Sequence, residues 1–349
     1  MSVIRIENID LSRKDYDGKS KTTLCKGCGH NSISSQIVKV AYEMKLNPHY
    51  IIKLSGIGCS SKSPAYFLGT SHGFNSLHGR MPAIGTGATT VNRQLLAIGV
   101  SGDGDSGSIG MGQFKHAMRR NIPMVYIIEN NGVYGLTKGQ FSALADYEQK
   151  SKYADGGVAN PLKPIDLCIE ALVSGATFVA RSFAGDAGQV RELLKAAISH
   201  DGIALLDIIS PCVTFNNRDD VTKSYGYGKE HAESIQDINY IPTFDEIVID
   251  DQQPGEERWI ELHDGSAIRV KKLDPADHDP TDRSAALNLL EKAYGEDKYL
   301  TGLFYIDPNR PAFPALNNLV EEPLVSLPEE KLRPSEAVLD GLMDKLIYG

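Results

Sequence analysis

The chain has 349 residues, 41% of them hydrophobic and 23% charged, a balance that excludes a wholly disordered or fibrous protein. Lysine and arginine number 36 against 45 acidic residues, a net charge of -9, which argues against nucleic acid as a partner. No apolar run approaches the roughly 20 residues needed to span a bilayer, and Met1-Ser2-Val3-Ile4-Arg5 leads into no hydrophobic signal core, so a cytoplasmic protein without a membrane partner is expected.

Taken in order, residues 1–20 read as an N-terminal arm, 21–217 as one α/β domain and 218–349 as a C-terminal extension. Helical spacing of Ile33, Ile37, Val40, Ala41 and Met44 predicts a helix over 31–46. Short apolar runs over 50–54, 95–100, 122–128 and 203–209 have the length of buried strands. Residues 108–120 read as a helix between two of those strands, which makes a parallel crossover. Residues 188–200 form another helix, with Val190, Leu193, Leu194, Ala197 and Ile198 on one side. Residues 150–164 lack periodicity and read as a surface loop. The fold class is therefore α/β, with a doubly wound, mostly parallel sheet. Beyond residue 217 the sequence turns polar, acidic and proline-rich, with short antiparallel strands expected at 246–249, 259–262 and 267–270 and a final helix over 334–348.

Chemistry gathers where strands end. Gly102-Asp103-Gly104 follows the strand at 95–100, and Asn130-Asn131 follows the strand at 122–128. Glycines at 102 and 104 allow close backbone approach to an anion, and the following helix N-terminus offers free N–H groups to a diphosphate. Magnesium takes about six oxygens, which the Asp103 carboxylate, the Asn131 amide, the Val133 carbonyl, a diphosphate and water can supply. An oxygen-donor pair at this spacing suits a magnesium-bound thiamine diphosphate. The plain alternative is a strand, turn and helix in which Asp103 caps the helix and Asn130-Asn131-Gly132 is a tight turn.

Five cysteines in such a chain make a poor disulfide framework. Cys25-x-x-Cys28, Cys59 and Cys212 all lie in loops marked by glycine or proline, the last two after strands, where ligands meet on an open sheet. Cys168 instead shares helical spacing with Ile165, Ile169 and Leu172 and reads as core. Four thiolates of this kind hold a [4Fe-4S] cluster or a structural zinc, and spacing alone leaves both open.

Over residues 20 to 220 the chain resembles the β subunits of 2-oxoacid:ferredoxin oxidoreductases. The resemblance rests on Cys25-x-x-Cys28-Gly29-His30, Gly56-Ile57-Gly58-Cys59-Ser60, His78-Gly79-Arg80, Gly102-Asp103-Gly104-Asp105, Asn130-Asn131-x-Val133-Tyr134-Gly135-Leu136-Thr137-x-Gly139-Gln140 and Pro211-Cys212. It implies a thiamine diphosphate-binding fold with Cys25, Cys28, Cys59 and Cys212 on a [4Fe-4S] cluster and with Asp103, Asn131 and Val133 on Mg2+. Gly58, Cys59, Ser60, His78, Gly102, Asp103, Gly104, Asp105, Asn131, Val133, Tyr134, Gly135, Leu136 and Thr137 would surround the cofactor. Lys62, His78 and Arg80 would face the substrate. The implied reaction is oxidative decarboxylation of a 2-oxo acid to acyl-coenzyme A and carbon dioxide, with single electrons passing through the cluster to ferredoxin. The His78-Gly79-Arg80 context resembles subunits that use 2-oxoglutarate, and pyruvate is the alternative. The family further implies an α subunit that carries the glutamate facing the thiamine pyrimidine and most of the coenzyme A site, in an α2β2 heterotetramer. A non-oxidative thiamine lyase shares the magnesium motif but has no use for four converging cysteines, and a non-catalytic metal-stabilised binding or electron-transfer module has no use for Asp103 and Asn131.

Overall fold

In a computed structural model, residues 11–149, 159–210, 212, 248–249, 252–261, 267–274, 276–296 and 299–349 are described. The boundary expected near residue 217 lies outside them. So do Glu246 and Ile247 of one expected strand, Leu262 of another and residues 150–158 of the expected surface loop.

Eleven strands are described: β1 (Ile51–Ser55), β2 (His72–Asn75), β3 (Leu96–Gly102), β4 (Met124–Asn130), β5 (Val133–Tyr134), β6 (Gln140–Phe141), β7 (Phe178–Phe183), β8 (Ile203–Ile209), β9 (Glu257–Glu261), β10 (Ala267–Lys272) and β11 (Tyr299–Ile306). Nine of them form one sheet in the order β2-β1-β3-β4-β8-β7-β11-β10-β9, and β5 and β6 make a separate hairpin. The first six strands of that order are parallel. β11 joins β7 antiparallel, β10 lies parallel to β11, and β9 closes the edge antiparallel to β10.

The helices are α1 (Gly29–Glu43), α2 (Met81–Val91), α3 (Met111–Arg120), α4 (Leu167–Val173), α5 (Ala187–Ser199), α6 (Arg283–Gly295) and, near the C-terminus, α7 (Glu336–Tyr348), besides single helical turns. Side chains alternate across the sheet. Ile98, Val100, Val125, Ile127, Ala204 and Leu206 pack with α1 and α5 in one core. Ala97, Met124, Tyr126, Ile128, Ile203 and Leu205 pack with α2, α3, α4 and α6 in the other. Because both faces are covered, the central strands read as unbroken apolar runs.

Several elements differ from the sequence reading. The helix expected from residue 108 opens instead as a wide π turn over Asp105–Ile109, and Gly110 separates it from α3. Such wide turns recur at functional sites, where a backbone is re-aimed at a ligand. Val248 and Ile249 carry no strand; Ile249 donates its N–H to the Gly185 carbonyl at 3.0 Å, next to the start of α5. β2, α2, β5, β6, β7, α6 and β11 were not anticipated, and β11 is the strand that links β9 and β10 to the main sheet.

Candidate active site

The sheet order brings β1, β3, β4 and β8 side by side, and the carboxyl end of each carries one expected group: Cys59, Asp103, Asn131 and Cys212 respectively. In parallel α/β sheets this is the edge where ligands bind. Among the described residues no helix is long and apolar enough to cross a membrane.

The turn after β3 drops Asp103 into the interior, 1% exposed. One carboxylate oxygen accepts the Asn131 N–H at 3.2 Å and the other accepts the Ser142 hydroxyl. The Asn131 amide oxygen accepts the Val133 N–H at 3.1 Å, so the three groups expected around magnesium are already linked. Burial, opposed by those hydrogen bonds, pushes the Asp103 carboxyl up to about 6. Among the described residues no cationic side chain pairs with it. A buried carboxylate without a counter-cation, beside an amide oxygen, is a donor set that fits a divalent ion.

Asp105 fastens the surrounding loops. It accepts the Gly79 N–H at 2.7 Å and the Ser101 hydroxyl at 2.8 Å. Burial raises its carboxyl, while bonds from Gly79, Ser101 and the Ile57 backbone oppose that rise. Gly79 sits at φ 68°, and a Cβ there would lie 2.7 Å from the Gly110 Cα. Glycine alone suits that junction. His78 and Arg80 on either side are exposed, so they do not serve as partners for buried carbonyls. The Tyr134 hydroxyl donates to the Gly104 carbonyl at 2.7 Å, which places the hairpin with Gly135, Leu136 and Thr137 over the same turn; Gly135 is buried, and Leu136 and Thr137 are exposed.

Beyond β1, Gly58 and Cys59 lead into the 3-10 turn Ser60–Ala65, which carries Lys62. The Ser60 hydroxyl donates to the Ile57 carbonyl at 3.0 Å. Lys53 anchors the far end of the turn, its Nζ donating to the Pro64 and Phe67 carbonyls at 2.7 and 2.8 Å. Burial pulls that lysine down to about 8.

The thiols of this edge share one electrostatic field. Burial pushes Cys28 well up, and the charges of Glu129, Cys212 and Cys59 add to the rise. Burial pushes Cys59 up to about 11, with Cys212, Cys25 and Glu129 adding to it and Lys62 opposing. Lys62 is thus within electrostatic reach of Cys59. Cys25 is exposed, and Cys28, Cys59 and Cys212 are half-buried. Among the described residues no three His, Cys, Asp or Glu side chains form a group fit to hold one metal ion. A magnesium shared with a diphosphate needs only one or two protein carboxylates. Cys59 lies within electrostatic reach of Cys25, Cys28 and Cys212, and thiols gathered along one edge have the donor chemistry of an iron–sulfur cluster. Cys168 is fully buried in α4 with Leu167, Ala171 and Leu172, as core.

Sequence reasoning passed over two buried charged sets. The Asn130 amide donates to Asp207 at 3.0 Å; Asp207 also takes the Arg181 Nε at 2.7 Å, and Arg181 reaches Asp166 at 2.9 Å. Glu129, 0% exposed at the end of β4, accepts the Ser63 hydroxyl at 2.9 Å. The available signal was a charged residue inside an apolar strand: Asp207 in β8, Arg181 in β7 and Glu129 in β4.

The chain is similar to known proteins. Residues 56–208 match the family described as thiamine pyrophosphate enzyme, C-terminal TPP binding domain. Residues 267–321 match the family that describes the C-terminal part of the pyruvate ferredoxin oxidoreductase beta chain. A 2-oxoacid:ferredoxin oxidoreductase subunit beta from Sulfolobus sp is 39% identical over 225 residues, covering 64% of this chain and 70% of that one. The 2-oxoglutarate oxidoreductase subunit KorB of Mycobacterium tuberculosis is 40% identical over 205 residues, 58% of this chain and 54% of that one. A solved 2-oxoglutarate:ferredoxin oxidoreductase from Magnetococcus marinus, with 2-oxoglutarate, coenzyme A and succinyl-CoA bound, superimposes with a TM-score of 0.70 at 29% identity, covering 93% of this chain and 95% of that one.

Proposed function

The chain belongs to the β subunits of 2-oxoacid:ferredoxin oxidoreductases, and from that membership we propose that it carries out, with an α subunit, the oxidative decarboxylation of 2-oxoglutarate to an acyl-coenzyme A and carbon dioxide, with ferredoxin as electron acceptor. The observation that carries this reading is the meeting of Asp103 and Asn131 with cysteine-bearing segments at the carboxyl ends of β1, β3, β4 and β8. The thiamine diphosphate-binding family model spans this region. We assign Asp103, Asn131 and the Val133 carbonyl to Mg2+, and Cys25, Cys28, Cys59 and Cys212 to a [4Fe-4S] cluster. When bound, thiamine diphosphate anchored through Mg2+ would supply an electron sink for decarboxylation and the cluster a one-electron outlet.

The chain's own residues do the rest. The linked Asp103, Asn131 and Val133 groups hold the cation and, through it, the diphosphate. Tyr134 and Asp105 keep the glycine turn and the loop at 78–80 in place around it. Lys62, beside Cys59, is assigned to the carboxylate next to the reacting carbon, and Arg80 and His78, exposed at the mouth, to the distal carboxylate of 2-oxoglutarate. The names of the Mycobacterium and Magnetococcus relatives support that substrate over pyruvate. The partner supplies the pyrimidine-facing glutamate and most of the coenzyme A site, in an α2β2 assembly.

Cys59→Ser separates the two halves of the chemistry. In the complex, the variant is expected to keep exchange of labelled carbon dioxide into the 2-oxo acid while losing ferredoxin reduction at least tenfold. Equal loss of both activities would remove the cluster from the electron path.

A further inference from the structure

Resting on that assignment of the cluster, we infer that Glu129 is a positioning residue that ties the three cysteine-bearing segments to one another and to the strand that delivers Asn131. Four groups distant in sequence meet in one buried chain. The Ser63 hydroxyl lies 2.9 Å from both Glu129 carboxyl oxygens. His30 presents Nε2 at 3.7 Å from Glu129 Oε2, and its Nδ1 lies 2.6 Å from the Ser210 hydroxyl. His30 is 1% exposed, and Ser63, Glu129 and Ser210 are each 0% exposed.

Each member sits beside an assigned ligand. His30 is two residues past Cys28, Ser63 four past Cys59, and Ser210 two before Cys212. Glu129 is two before Asn131. The Cys28 segment meets the Ser210 segment so closely that a Cβ on Gly29 would lie 2.7 Å from the Ser210 hydroxyl. Glu129 also lies within electrostatic reach of the Cys28 and Cys59 thiols.

Packing alone gives no reason for an acid here. Met124 to Ile128, the stretch of β4 that precedes it, are buried and, Tyr126's hydroxyl aside, apolar. A leucine would fill the same space without desolvating a carboxyl. What the acid adds is directional: an acceptor for Ser63 and a polar face toward His30, fixing where three ligand loops lie. Groups behind metal ligands orient them, and losing one typically costs 10- to 100-fold in affinity or activity.

The test uses the complex with its partner subunit, purified anaerobically, with two readouts: the electron paramagnetic resonance spectrum of the reduced cluster, and the rate at which a ferrous chelator strips iron. Glu129→Leu and Ser63→Ala are expected to alter the spectrum and speed iron loss roughly 10- to 100-fold. Glu129→Gln, which keeps an acceptor for Ser63, is expected to restore both toward the native values. A native spectrum and stripping rate in Glu129→Leu would overturn the inference, even with a lowered thermal midpoint, because a merely structural role moves stability and not the cluster. If Glu129→Leu does not assemble, Ser63→Ala decides by the same criteria. Native complex without iron would overturn the cluster assignment itself, a failure separate from native behaviour in the variants.

Discussion

Asp103 concentrates the conflict between folding and function. Its carboxyl is raised from 3.8 to about 6 by burial, so its contribution to stability is fully present below the unfolded value and is lost as pH rises through 6. Over that window the unliganded chain is expected to lose about 3 kcal/mol through this one group. Asp103→Asn removes the slope, since an asparagine can still accept from Asn131 and donate to Ser142. Thermal melts of the metal-free variant are expected to be flat between pH 4 and 6 where the parent declines, with a midpoint at pH 7 no lower than the parent's. Calorimetry should find binding of Mg2+ and thiamine diphosphate weakened at least a hundredfold. Undiminished binding would remove Asp103 from the cation site. The placement of Asp103, Asn131, Cys59 and Cys212 at strand ends was legible in the sequence, because glycine- or proline-marked turns follow apolar runs of strand length. Glu129, Asp207 and Arg181 were not, because a single charged residue inside an apolar strand does not show which distant partner it meets until tertiary structure brings the two together.

Between elements, the loop at 78–80 meets the π turn at Asp105–Ile109 in a close joint of the site. Gly79 combines a left-handed backbone with a close approach to Gly110, and its N–H is held by Asp105. Gly79→Ala adds strain of about 1–2 kcal/mol from the backbone and a steric clash besides. The expected result is a lower denaturant midpoint together with a raised Michaelis constant for the 2-oxo acid, since His78 and Arg80 move with the loop. Unchanged values of both would mean that the joint is looser than its geometry implies. Four of the parallel strands, β1, β3, β4 and β8, and the helices α1, α3 and α5 were readable from period and length alone. The π turn was not: Asp105-Ser106-Gly107-Ser108-Ile109-Gly110 is glycine-rich and shows no helical period, and the turn is held by Asp105 bonding to segments 26 residues and more upstream. β11 escaped notice for another reason, because its place is set by long-range pairing with β7, which no local pattern announces.

For the whole molecule, the sheet continues from the thiamine family region through β11, β10 and β9, so the C-terminal strands extend the scaffold that carries the site. The facing glutamate has no counterpart assigned in this chain. Purified without its partner, the chain is expected to bind metal and cofactor weakly and to decarboxylate 2-oxoglutarate at less than a hundredth of the rate of the complex; full activity alone would contradict the division of labour proposed above. The central claim is that one chain brings a thiamine centre and an iron–sulfur cluster to neighbouring strand ends. The most direct test is iron, sulfide and zinc analysis of the anaerobically purified protein. About four irons and four sulfides per chain are expected, whereas a colourless protein with one zinc and no sulfide would contradict the account.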